Sequence, residues 1–181
     1  MKAGIGLWLL LAAAAAQASV PATSYKASFV QTRTLPGFDT PIVSRGNMRY
    51  DQARGFHWEI TVPYHYVFEM SGKDAREELP DGTRRVLDPD QNPWLAAVER
   101  IFVGALSGDR AELMAYFDVK VEPAASGQSV TLKPKPGPIA EAIADIHVLE
   151  SAPGRPERME ISETSGGRLD IRFTPSSSNA P

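Results

Sequence analysis

Three histidines, His57, His65 and His147, are the first side chains to test for acid–base or metal chemistry. His57 stands with Glu59 and Glu69, a set of nitrogen and oxygen donors that a surface metal ion would accept. On a solvated strand such a cluster ordinarily does no more than face water. His65 falls near polar-face positions, and His147 lies between the apolar Ile146 and Val148, on the alternate face. No G-x-S-x-G is present, and no strand–turn–helix context for an exposed nucleophile. "PDGT" (80–83) and "SGGR" (165–168) read as hairpin turns and not as phosphate loops, because no helix follows either. Arg84-Arg85 is explained by a solvated strand. The chain has no cysteine, which excludes disulfides and thiolate chemistry. The residues therefore point away from an enzyme, and no cofactor and no metal is expected.

The other pattern with chemical content is apolar. In "RGFHWEITVP" (54–63), Phe56, Trp58, Ile60 and Val62 take every second position, with His57, Glu59 and Thr61 between them. An extended chain alternates its faces, so one side is apolar and the other wet. Neighbouring segments repeat the pattern. Tyr25, Ala27 and Phe29 share a face in "YKASFVQTRTL", Met48 and Tyr50 in "GNMRY", and Tyr64, Tyr66, Phe68 and Met70 in "YHYVFEM". A three-residue turn Pro63-Tyr64-His65 would pair Val62 with Tyr66, Ile60 with Phe68 and Trp58 with Met70. That register leaves Glu59 opposite Glu69, a small unfavourable term.

These strands belong to a longer series. "AREEL" and "RRVL" are short and polar, as in an exposed or edge hairpin. "FDVKVEP", "SVTLKPKP", "DIHVLES", "PERMEISET" and "GRLDIRFTP" continue the alternation in the second half. Between the two halves the period changes. Trp94, Leu95, Val98, Ile101, Phe102 and Leu106 follow helical spacing, with Asn92 as cap and Pro93 at the first helical position. "SGD" ends that helix, and Asp109 caps a second over "DRAELMAYF". "GPIAEAIAD" holds a short helical turn. The expected fold is mainly β: about ten antiparallel strands in sequential order, apolar within and polar without, curled around one helical insertion. Roughly twenty-five helical residues are too few to fill such a concavity, which leaves room for a ligand.

Composition sets the outer bounds. The chain of 181 residues is long enough for one domain with a real core. A net charge of -3 gives no general attraction to nucleic acid or to an anionic membrane surface. Residues 1–18 read as a secretory signal: Lys2, an apolar run from Ile5 to Ala16, and "AQA" before a cleavage point after Ala18. Residues 19–175 then form the domain and 176–181 a disordered tail. No cysteine follows the cleavage point, so the chain is not itself lipidated there.

The ordered motifs resemble the LolA-type periplasmic lipoprotein carriers. "YKASFVQT" (25–32) is similar to the opening strand of that family, Gly46 precedes Trp58 by twelve residues, and Pro63 follows it by five. "SGK" (71–73), "NPWLAAVERIFVG", "VTLKPK" (130–135) and "RFTP" (172–175) fall in the family's order. The resemblance implies an unclosed β-barrel with a helical lid over a hydrophobic cavity that shelters acyl chains. On that reading Phe29, Met48, Tyr50, Trp58, Ile60, Tyr66, Phe68 and Met70 bind the cargo, and Trp94, Leu95, Val98, Ile101 and Phe102 form the lid. Trp58 is expected to line a partly empty pocket beneath the helix at 93–106. The implied partners are an acylated lipoprotein or other lipid cargo, an inner-membrane extractor or exporter complex and an outer-membrane receptor, with no nucleic acid. A periplasmic monomer is expected.

Three features depart from the family. Only Ser19–Ser24 precede the opening strand after cleavage, the chain ends soon after "FTP", and Gln52-Ala53 replaces the family's Arg-Pro pair. Arg54, at the same strand parity as Gln52, is the candidate lid latch in place of the missing arginine. The alternative is a dedicated carrier of a non-lipoprotein lipid or polyene product, or a lipid-sensing regulator of the same fold.

Overall fold

The chain was analysed as a computed structural model that describes residues 24–72, 74–88, 91–92, 95 and 99–176. The signal segment 1–18, Trp94, Val98 and residues 177–181 of the tail lie outside the described residues.

Eleven strands form one antiparallel sheet. They are β1 (Ser24–Thr34), β2 (Ile42–Asp51), β3 (Gly55–Val62), β4 (Tyr66–Ser71), β5 (Asp74–Glu78), β6 (Arg84–Leu87), β7 (Phe117–Pro123), β8 (Gln128–Pro134), β9 (Ile143–Ala152), β10 (Arg155–Glu163) and β11 (Arg168–Pro175). Nine coincide with segments whose alternation predicts a strand, and β5 and β6 with the short polar segments "AREEL" and "RRVL". β2 starts earlier than its alternation suggests, because Ile42 and Val43 are both exposed and carry no face signal. The spatial order is β6-β5-β4-β3-β2-β1-β11-β10-β9-β8-β7. Neighbours are consecutive hairpins everywhere except at the centre, where β1 pairs with β11 from Ala27↔Pro175 to Thr34↔Arg168. The edges β6 and β7 do not pair with each other, so the sheet stays open.

The helical insertion links those two edges. A π-helical turn (Glu99–Val103) runs into α1 (Gly104–Ser107), and α2 follows at Arg110–Tyr116. The second helix is the one expected over "DRAELMAYF"; for the segment before "SGD" an α-helix without a π-helical turn was expected. The wide turn resets the helical phase just before Gly104. α1 ends at Gly108 in the left-handed region, and Asp109 caps α2 by accepting from the Ala111 and Glu112 amides. α3 (Pro138–Ala142) is the short turn before β9.

One correction concerns the β3–β4 hairpin. The observed pairs are Ile60↔Tyr66, Trp58↔Phe68 and Phe56↔Met70, two positions from the expected register. An even shift leaves Phe56, Trp58, Ile60, Phe68 and Met70 on their expected inner face, while Val62 and Tyr64, beside the longer loop, are exposed. It also places Glu69 opposite His57, with His57 Nδ1 at 2.9 Å from Glu69 Oε1, where the expected register set two carboxylates against each other. Electrostatics favours the longer loop.

The inner rows of the strands meet in one core. Tyr25, Phe29, Met48, Trp58, Ile146, Met159, Ile171 and Phe173 belong to it, and Leu106 and Leu113 enter from the helices. Ring centroids of Trp58 and Phe173 lie 6.5 Å apart, although three strand spacings separate β3 from β11. In a flat sheet those strands would stand roughly 14 Å apart. The sheet therefore curls, and its concave side is the buried one.

Candidate functional site

The site is the concave face of β1 to β4 and the helical segment laid over it. Strand parity alone puts Phe29 of β1, Met48 and Tyr50 of β2, Trp58 and Ile60 of β3, and Phe68 and Met70 of β4 inside, and all are buried in one cluster. Tyr66, at the start of β4, is half-buried against it.

Trp58 is the hub. Its ring stacks on Phe29 with centroids 3.7 Å apart and planes at 21°. Gly46 makes that stack possible. A Cβ there would stand 1.8 Å from the Glu59 carbonyl oxygen and 2.8 Å from Phe29 Cζ, so only glycine lets the two strands and the ring approach this closely. On its other side Trp58 meets the edge of Phe102, at 5.6 Å. Phe102 also lies 5.2 Å from Phe56, which places the π-helical turn's aromatic ring between two rings of β3. Geometries of this kind add about 0.5–1.5 kcal/mol per pair beyond area burial.

Of the lid residues described, Leu95 and Ile101 are buried and Phe102 is half-buried. Trp58 was expected beside partly empty space; it is 8% exposed, and the rings of Phe29, Phe56, Phe102 and Phe173 surround it. Around Trp58 the concave face is thus packed with rings from the strands themselves and with Phe102 of the helical segment. Phe56 and Phe173 were not assigned to the site from sequence, although their parity in "GFHWEITV" and "RLDIRFTP" places them inward. What singles out Phe173 is the Phe29↔Phe173 pairing between the first and last strands.

Polar groups border the face. The Tyr66 hydroxyl donates to Glu77 Oε2 at 3.1 Å, and burial together with that carboxylate pushes its pKa well above the usual tyrosine range. Tyr50 is raised chiefly by burial, with Glu112 and Asp51 adding to the effect. His65 pairs with Glu59 at 3.3 Å, and His57 with Glu69 at 2.9 Å.

Arg54 does not share a strand face with Gln52, as its parity suggested. Both stand in the turn between β2 and β3, and Arg54 lines a cleft beside that turn. Among the described residues, the ion pair joining a helix to the sheet is Arg110–Glu150. Glu150 is fully buried on β9, Gln128 Nε2 donates to its Oε1 at 2.6 Å, and its Oε2 has no hydrogen-bond partner. Burial lowers the pKa of the Arg110 guanidinium. This link escaped the sequence reading because a glutamate on an inward position of a strand carries no sign of its partner.

Comparison with known proteins gives the following. The profile of a family described as outer membrane lipoprotein carrier protein LolA matches residues 21–181. Among solved structures, the chain is similar to a LolA superfamily protein from Nitrosomonas europaea, with 12% identity, 85% of both chains covered and a TM-score of 0.45. It is also similar to a domain described as an outer membrane lipoprotein-sorting protein from Vibrio parahaemolyticus, with 10% identity, 85% of this chain and 86% of that one covered and a TM-score of 0.43. A DUF1329 family protein from Desulfovibrio piger matches at 9% identity over 84% of each chain, with a TM-score of 0.39. No curated protein matches the chain by sequence.

Proposed function

The chain belongs to the LolA family, the outer membrane lipoprotein carrier proteins, and from that premise we propose that it is a periplasmic carrier whose concave aromatic face shelters the acyl chains of a lipoprotein or other lipidated cargo. The observation that carries this reading is Phe102. A ring from the helical segment fills the concavity between Phe56 and Trp58, in a sheet whose edges β6 and β7 are not bonded to each other. The segment can swing out without breaking a single ladder hydrogen bond of the sheet, and an acyl chain can take the place of its side chains.

The magnitudes allow the exchange. Expelling Leu95, Ile101 and Phe102 forfeits at most about 9 kcal/mol of apolar burial. Sheltering one acyl chain of about 14 methylenes returns about 11 kcal/mol, and a lipoprotein brings more than one chain. Stacked rings and the methionines Met48 and Met70 suit a ligand whose shape varies. No catalytic step is assigned to the site, and its role is that of a chaperone in transit. Loading would take place at an inner-membrane extractor or exporter and unloading at an outer-membrane receptor, with the carrier a monomer between them. Among the described residues no helix is long and apolar enough to cross a membrane.

The test uses the protein with Trp8 and Trp94 replaced by Phe, which leaves Trp58 as its one tryptophan. Adding a palmitoylated peptide is expected to change the Trp58 emission and to raise the melting temperature through preferential binding to the folded state. The unacylated peptide should do neither. If the acylated and unacylated peptides behave alike, the carrier reading fails.

A further inference from the structure

A second site lies on the other side of these strands. Pairing sets Lys26 of β1 opposite Arg49 of β2, Arg49 opposite His57 of β3, and Glu69 of β4 opposite Arg76 of β5. Lys26, Arg49 and Arg76 line one cleft of about 620 Å3, and Arg54 joins them from the β2–β3 turn. Elsewhere the arginines of the sheet are mostly neutralised: Arg33 by Glu163, Arg84 by Glu78, Arg85 by Glu77, and Arg158 by Asp170. Among the described residues, Arg49, Arg54 and Arg76 have no ion-pair partner.

The cleft also contains three carboxylates, Asp51, Glu69 and Asp74. Two are already engaged. Asp51 Oδ1 accepts from the Ala53 and Arg54 amides, each at 3.0 Å, and Glu69 sits 2.9 Å from His57. Four cationic side chains, Lys26, Arg49, Arg54 and Arg76, thus meet three carboxylates in the lining, and the excess positive charge with the three unpaired guanidinium groups suits an external anion. Planar, forked donors match the oxygens of a phosphate two at a time. The volume is that of a small-molecule site and exceeds what one phosphate fills.

We propose that this cleft binds a phosphate group, the chemistry shared by an anionic lipid headgroup and free phosphate. The site acts locally: the chain as a whole carries a net charge of -3, so attraction to an anionic surface is confined to this patch. The inference stands on the cleft and does not require that acyl chains be carried.

The experiment is flotation of the purified protein with vesicles of phosphatidylcholine alone or mixed with phosphatidylglycerol, beside calorimetric titration with inorganic phosphate. Binding is expected to the phosphatidylglycerol vesicles and to weaken with salt. Arg49→Gln, Arg54→Gln and Arg76→Gln should each reduce it about fivefold. Arg168→Gln, an arginine outside the cleft, should leave it unchanged. Arg54 is exposed in a turn, so its replacement tests the site without disturbing the sheet. Heat on titration with inorganic phosphate, without flotation, would assign the site to free phosphate and uphold the anion chemistry. The proposal is overturned if neither ligand binds, or if Arg168→Gln weakens binding as much as the cleft variants do.

Discussion

Tyr25 shows how a single residue ties the curled sheet together. It lies inward on β1, fully buried, and its hydroxyl donates to the Pro156 carbonyl of β10 at 2.7 Å. Burial pushes its pKa above the ordinary tyrosine range, against the opposing pull of Arg155. In the unfolded chain the group titrates near ~10. A raised folded value means that the stability contributed is fully present below that pH and is lost as pH climbs above it. Tyr25→Phe is therefore expected to cost about 1 kcal/mol at neutral pH through the lost hydrogen bond. It should also flatten the alkaline fall in stability seen above pH ~10. Urea unfolding at several alkaline pH values measures both effects; an unchanged alkaline slope would show that Tyr25 is not the group responsible.

At the scale of elements, the contact to question is the one between α2 and β9. Glu150 is a buried carboxylate with one oxygen unpartnered, so its charge depends on Arg110 and Gln128. Removing one member of a buried pair leaves an uncompensated charge and costs about 3–5 kcal/mol, whereas replacing both with apolar groups is often neutral or stabilising. Arg110→Met alone should then destabilise strongly, and Arg110→Met with Glu150→Leu should recover most of the loss. Thermal unfolding of the four proteins of this cycle measures the coupling, and additive effects would show that the pair does not hold helix to sheet. On the proposed opening of the helical segment, this link would be its fixed end. α2 is tied to β9 at Arg110 and capped by Asp109, while the segment around Phe102 rests on side-chain packing.

At the scale of the molecule, the sheet is strong at its centre and weak at one edge. β1 and β11 bring the two ends of the domain together in the middle of the strand order, with Tyr25, Ala27, Phe29, Ile171 and Phe173 all buried. β6 has four residues, lies at an edge and exposes Val86. Local opening follows buried contact, so amides of β1, β10 and β11 should exchange last and those of the β5–β6 hairpin first. Hydrogen exchange followed by mass spectrometry reads this order. Uniform protection from β1 to β6 would mean that the edge hairpin is as firmly held as the centre.

The amino-acid sequence by itself determined which side chains face inward. Phe29, Met48, Trp58, Phe68 and Met70 follow from the two-residue period of an extended chain, which is a local property and survives any choice of partner strand. The Asp109 cap and the turns at "PDGT" and "SGGR" are local in the same sense. The tertiary structure alone decided which strands meet. The β1–β11 pairing, the two-position shift of the β3–β4 register, the seat of Phe102 against Trp58 and the Arg110–Glu150 link all join residues that alternation leaves without a partner. Many pairings share the same alternation, and they differ in energy only once the whole sheet has curled and its charges and rings have found their neighbours. Arg54 marks that boundary: its parity was legible, but parity has no meaning in a turn, and its place in the phosphate cleft depends on strands that it does not belong to.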